Sequence, residues 1–106
     1  MDKNEITIPP SYRTQLSSPI ITTRWLSSCL LLMSDAQWQS LARRIMEMGK
    51  NSETFAILLL AGVAKIPVDR SGNISIPTYL MEYAHIENGA SIVFLEASLG
   101  IELWSE

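Results

Sequence analysis

Cysteine is nearly absent from this chain: Cys29 is the only one among 106 residues. An internal disulfide and a CxxC metal site are therefore excluded, and a reducing compartment fits. Histidine is equally scarce. His85 stands alone, with no cysteine pair or acidic cluster beside it in sequence. It reads as a surface or helix-end residue rather than a ligand or base. No apolar run approaches the ~20 residues that span a bilayer. The longest, Ala56 to Ala64, reads as buried helix running into strand. The N-terminus is polar and acidic, unlike a secretory leader, so the cytoplasm is the expected location. A Gly-rich phosphate loop is lacking, and the pairs Ser17–Ser18 and Ser27–Ser28 have no G-x-S-x-G context. Nothing points to catalysis, and no cofactor or metal is expected. Positive charge is also short: 8 Lys and Arg against 11 Asp and Glu leave a net charge of −3. Nucleic-acid binders usually carry a basic face. Any such face here would be local, drawn from Lys3, Arg13, Arg24 and Arg70.

Apolar residues, by contrast, make up 47% of the chain. That is enough for one compact domain, or for two small halves sharing a core. Three segments emerge. Residues 1–34 are strand-like, with "EITI", "PIITTRWL" and "CLLLM", and a short helix candidate, "PPSYRTQL", opening on Pro10. Residues 35–60 are helical. Ser34 and Gln37 form a capping box, and Trp38, Leu41, Ile45 and Met48 recur at helical spacing. Gly49 and Lys50 mark a stop, after which "ETFAILLL" starts a second, buried helix. Residues 61–106 return to strands: "VAKIPV", a turn at Asp69–Gly72 with Gly72 placed for a positive φ, "NISI", a short helix "PTYLMEYA", "SIVFLE" and "IELW".

The first and third segments repeat one phrase. A shift of 68 lays Ile6, Ile8 and Pro9 on Ile74, Ile76 and Pro77, and a shift of 71 lays Leu30, Leu32 and Ser34 on Ile101, Leu103 and Ser105. The difference between the shifts falls in a turn, where insertion costs least. Two ββαββ copies are expected, the first short of its opening strand, joined by a two-helix linker. The fold class is α+β.

With its "TR" followed by "L-x-x-C-L" (Thr23, Arg24, Leu26, Cys29, Leu30) and its closing "IELWS", the chain resembles the MraZ family of bacterial transcriptional regulators along essentially its whole length. The resemblance implies tandem AbrB-like halves, each a swapped-hairpin β-barrel. It also implies a homo-oligomer, a ring, that acts on repeated promoter boxes of a division and cell-wall gene cluster and is associated with the nucleoid. Family members carry an Asp-x-x-x-Arg turn in each half, with the Arg linked to DNA contact. Here Asp69 and Gly72 match the turn of the second half, but Asn73 replaces Arg. In the first half Met1 stands at the Asp position and Glu5 at the Arg position. Lys3 and Arg70 keep positive charge in the two turns. The candidate DNA-binding residues are therefore Lys3, Glu5, Arg13, Asp69, Arg70 and Asn73. An alternative follows from the same residues: a MraZ-like assembly or protein-interaction protein that has lost sequence-specific DNA binding. A single-half AbrB-type antitoxin ranks third, because the repeat supplies two halves. Trp25 and Trp104 are expected at an interface or in the core, and Cys29 as a small buried hydrophobe.

Overall fold

The computed structural model describes residues 4–16, 18–47, 62–87 and 91–106. Strand β1 (Glu5–Thr7) leads into α1 (Pro10–Arg13), β2 (Ile20–Arg24), a 3-10 turn (Leu26–Ser28), β3 (Leu30–Met33) and α2 (Asp35–Glu47). The second copy supplies β4 (Ala64–Ile66), β5 (Asn73–Ser75), α3 (Thr78–Tyr83), β6 (Ile92–Ala97) and β7 (Gly100–Ser105). The chain is thus mixed α+β, as its patterning implies. The second linker helix and the Gly49–Lys50 stop lie outside the described residues.

The two copies interleave. A two-stranded ribbon pairs β1 of the first with β5 of the second, and a five-stranded sheet runs β4-β2-β3-β7-β6. In the ribbon Ile6 lies directly opposite Ile74. In the sheet Leu31 lies directly opposite Glu102. Each of these pairs joins a residue to its own repeat mate, by the shifts of 68 and 71 respectively. Antiparallel strands that pair a residue with its own copy are related by a local two-fold axis. The sequence repeat is therefore a spatial two-fold as well.

This symmetry builds one core from both copies. Ile6, Ile8, Leu30 and Leu32 are buried with their mates Ile74, Ile76, Ile101 and Leu103. Each such side chain contributes roughly 1.5–3 kcal/mol of transfer free energy, set against the entropy of ordering the chain. A second cluster lies on the other face of β2 and β3, where Trp38, Leu41 and Ile45 of α2 cover Ile21, Leu31 and Met33. The capping box forms as read. Ser34 N donates to Gln37 Oε1 at 2.9 Å, and Gln37 N donates to Ser34 Oγ at 3.2 Å.

Several elements are shorter than the sequence pattern suggests. The strand "PIITTRWL" stops at Arg24, because Trp25 N donates to Cys29 O at 2.9 Å and closes a turn. Ser27 and Ser28 hold that turn at φ 60° and 61°, a region most L residues avoid. β4 stops at Ile66 because Pro67 has no N–H for the ladder. α1 is a single turn, after which Gln15 and Leu16 both donate to Tyr12 O.

Candidate nucleic-acid interface

The turn between β4 and β5 is held largely by one side chain. Asp69 Oδ1 accepts from Ser71 N at 2.8 Å and from Asn73 N at 2.9 Å. Gly72 N donates to Asp69 O and Asp69 N to Asn73 O, both at 3.0 Å. Three residues, Arg70 to Gly72, form the loop, with Gly72 at φ +84°. That geometry is a type I turn followed by a left-handed residue, the usual three-residue hairpin. Asp is suited to the first position because its short carboxylate reaches back to N–H groups ahead of it.

Arg13 braces this turn from beneath. Its Nε donates to Ile8 O at 2.9 Å and its Nη2 to Ser71 O at 3.1 Å. The guanidinium lies flat against Gly72, so a Cβ there would sit 2.2 Å from Arg13 Cζ. Gly72 is therefore required twice, for its backbone angle and for the space that Arg13 occupies. Arg24 is likewise engaged within the fold, its guanidinium 5.6 Å and 5.8 Å from the ring centroids of Tyr79 and Tyr83.

The polar face of the β1·β5 ribbon brings the two copies' candidate positions together. Glu5 and Asn73 are repeat mates, and Asn73 Nδ2 donates to Glu5 Oε1 at 3.3 Å. Thr7 Oγ1 donates to Asn73 Oδ1 at 2.5 Å. Ser75, opposite Glu5, completes the face. Beside it runs a groove of about 370 Å³, lined also by Lys65 and Pro67 of the β4 side. Arg70 projects from the turn, exposed and without a hydrogen bond or ion pair among the described residues. Lys3 lies outside the described residues.

Five of the six candidate residues thus fall on or beneath one surface. Asp69, Asn73 and Glu5 shape it, Arg70 charges it, and Arg13 supports it from below. Sequence reading missed Thr7, whose hydroxyl fixes the Asn73 amide. The signal was present: Thr7 lies two residues beyond Glu5, so it points to the same side of the strand. It also missed Lys65, whose nearness to this surface depends on the β2·β4 pairing.

Residues 2–57 match the family model described as "MraZ protein, putative antitoxin-like". The transcriptional regulator MraZ of Halothermothrix orenii is 32% identical over 97% of this chain and 73% of its own length. That of Caldanaerobacter subterraneus subsp. tengcongensis is 30% identical over 98% and 73%. The chain belongs to the MraZ family. The MraZ regulator of Caldicellulosiruptor saccharolyticus, 31% identical over 99% of this chain and 74% of its own length, spans both copies in the same way. MraZ family membership agrees with the expectation from "TTRWLSSCLLLMS" and "IELWS".

Three other residues singled out by the sequence, Cys29, Trp25 and Trp104, are engaged within the fold. Cys29 is buried and donates from Sγ to Leu26 O at 3.2 Å. Burial first, and the negative charge of Glu102 second, push its thiol up to about 11. Trp25 packs beside the α2 cluster, while Trp104 Nε1 donates to Glu102 Oε1 at 3.0 Å. No helix among the described residues is long and apolar enough to cross a membrane.

Proposed function

We propose that this chain is a DNA-binding transcriptional regulator, not an enzyme. It acts on repeated promoter boxes of a division and cell-wall gene cluster, in the cytoplasm and at the nucleoid. Its reading surface is the polar face of the β1·β5 ribbon with the Lys3–Glu5 and Asp69–Asn73 turns. The observation that carries this reading is the pairing of β1 with β5 about a local two-fold. It puts Glu5 and Thr7 of the first copy and Asn73 and Ser75 of the second on one face of the ribbon. In this reading residues 1–34 and 61–106 are AbrB-like swapped-hairpin halves around a helical linker, residues 35–60. Subunits assemble on adjacent boxes, so that weak single contacts gain strength through multivalency.

Phosphate contact falls to Lys3 and Arg70, with Lys65 at the side of the groove. Base contact falls to Asn73, whose amide has the donor and acceptor that adenine requires. A second reading rests on one specific observation: the Asn73 amide is already occupied by Glu5 and Thr7. A family scaffold with that face closed would serve assembly or protein interaction instead.

The two readings part on the specificity ratio between promoter boxes and scrambled DNA at one fixed salt concentration. The regulator reading predicts that the parent discriminates by about tenfold or more, ~1.4 kcal/mol. A parent without discrimination that gains it on Glu5→Arg with Asn73→Arg would establish the second reading. If neither protein discriminates, this face is not the reading surface.

A further inference from the structure

Val68 and Asp69, at the entry to the β4–β5 turn, line two different recesses. One is the groove beside the polar face of the ribbon, whose charged residues are Glu5, Lys65 and Asp69. The other, of about 240 Å³, lies between α1 and the turn, with Arg13, Ser18 and Arg70 around a floor that includes Ile8 and Ile20. Along β1, Glu5 and Thr7 are exposed while Ile6 and Ile8 are buried. A recess floored by Ile8 therefore opens on the core side of the ribbon, away from the face that carries Asn73.

This second recess concentrates hydrogen-bond donors. Arg13 is held through Nε and Nη2 by Ile8 O and Ser71 O. Those bonds fix the guanidinium and leave both N–H groups of Nη1 without a partner among the described residues. Arg70 is wholly unengaged there. Ser18 Oγ accepts from Val68 N at 3.1 Å, so its own proton is left to donate. The one carboxylate lining the recess is Asp69, and its Oδ1 is turned to the N–H groups of Ser71 and Asn73. Two guanidinium groups without an ion pair among the described residues thus line one recess, in a chain whose net charge is −3.

We propose that this recess is an oxyanion site, and that its ligand is a small free molecule ending in a phosphate monoester. A guanidinium already fixed by the fold loses little freedom on binding an anion, and its planar fork matches two phosphate oxygens. A monoester carries about −1.5 to −2 charges at pH 7, which suits two unpaired arginines. Its terminal oxygens can enter a recess end-on. A phosphate within a nucleic-acid backbone is esterified on both sides, carries a single charge and lies along a convex rod, so it fits this place less well. Binding engages Arg70, which the proposed function assigns to DNA phosphate, so the ligand antagonises DNA binding. That consequence rests on the DNA-reading proposal; the site itself does not.

The test titrates the full-length protein with phenyl phosphate at constant ionic strength and without DNA, so that it stands apart from the DNA reading. Saturable amide shifts are expected at Ile8, Ser18 and Val68 to Gly72. Arg70→Ala and Arg13→Ala should each weaken binding by about tenfold or more, while Arg44→Ala, which removes a cation from α2, should leave it unchanged. Arg13→Ala also loosens the turn, so Arg70→Ala, whose side chain has no partner to lose, is the deciding variant. Dimethyl phosphate, a diester, should bind about tenfold more weakly than the monoester. Four results would overturn the proposal: no saturation, full affinity in Arg70→Ala, shifts confined to Glu5, Lys65 and Asn73, or equal binding of the diester, which would make the recess a seat for nucleic-acid backbone. With the site established, phenyl phosphate should also lower the affinity for a promoter-box duplex, and an unchanged affinity would refute the antagonism alone.

Discussion

Gly72→Ala and Arg13→Ala are expected to couple, because the two residues compete for one volume. A Cβ on Gly72 would lie 2.2 Å from Arg13 Cζ, so in the parent the methyl group must expel the guanidinium. The variant then loses two charged hydrogen bonds, to Ile8 O and Ser71 O. Hydrogen bonds to charged groups contribute about 1.5–3 kcal/mol each when well shielded, and much less on an exposed side chain such as Arg13. A combined loss of about 1–2 kcal/mol is reasonable. The left-handed φ of +84° adds roughly 1–2 kcal/mol for any residue with a Cβ. Gly72→Ala alone should therefore cost about 2–4 kcal/mol, and Arg13→Ala alone about 1–2 kcal/mol. In the Arg13→Ala background the clash is gone, and Gly72→Ala should cost only the ~1–2 kcal/mol of backbone strain. Urea unfolding of the four proteins in a double-mutant cycle measures the difference, a favourable coupling of about 1–2 kcal/mol. Additivity within about 0.3–0.5 kcal/mol would refute the clamp.

Arg70→Ala should weaken DNA binding evenly across sequences and lower the salt slope by about one; a titration at several salt concentrations checks this, and an unchanged slope would remove Arg70 from the interface. Ser34→Ala should cost about 1 kcal/mol in urea unfolding by opening the capping box, with DNA binding unaltered. Cys29, with its thiol pushed up to about 11, should react with iodoacetamide only slowly near neutral pH. Its rate should rise as the pH approaches that value, because the thiolate is the nucleophile; rapid modification at pH 7 would contradict its burial.

What could be read from the sequence was what repeats at short range. The apolar stripe of α2, the Ser34–Gln37 box and the Asp69–Gly72 turn each depend on residues within a few positions of one another. The repeat marked β1 and β5 as equivalent strands but did not show that they pair, since their partners lie 66 to 70 residues apart. The Arg13 clamp was not legible. Its bond to Ser71 spans 58 residues, and no local pattern separates a bracing arginine from a phosphate-binding one. Strand ends were overrun where chemistry changed without a change in apolarity. Trp25 and Leu26 look like strand residues, yet the hairpin already turns at Ser27 and Ser28. Glu5 and Asn73 are repeat mates placed diagonally across the two-fold, Glu5 opposite Ser75 and Asn73 opposite Thr7, and the Asn73 amide donates to the Glu5 carboxylate.

Chemical-shift mapping during titration with a promoter-box duplex tests most directly the proposal that DNA is read by the β1·β5 face. Shifts are expected to concentrate at Glu5–Thr7, Lys65 and Asp69–Ser75, to saturate at one stoichiometry and to be absent with scrambled duplex. Saturable shifts centred instead on α2 or on the β6 edge, with Asp69–Ser75 unmoved, would contradict it.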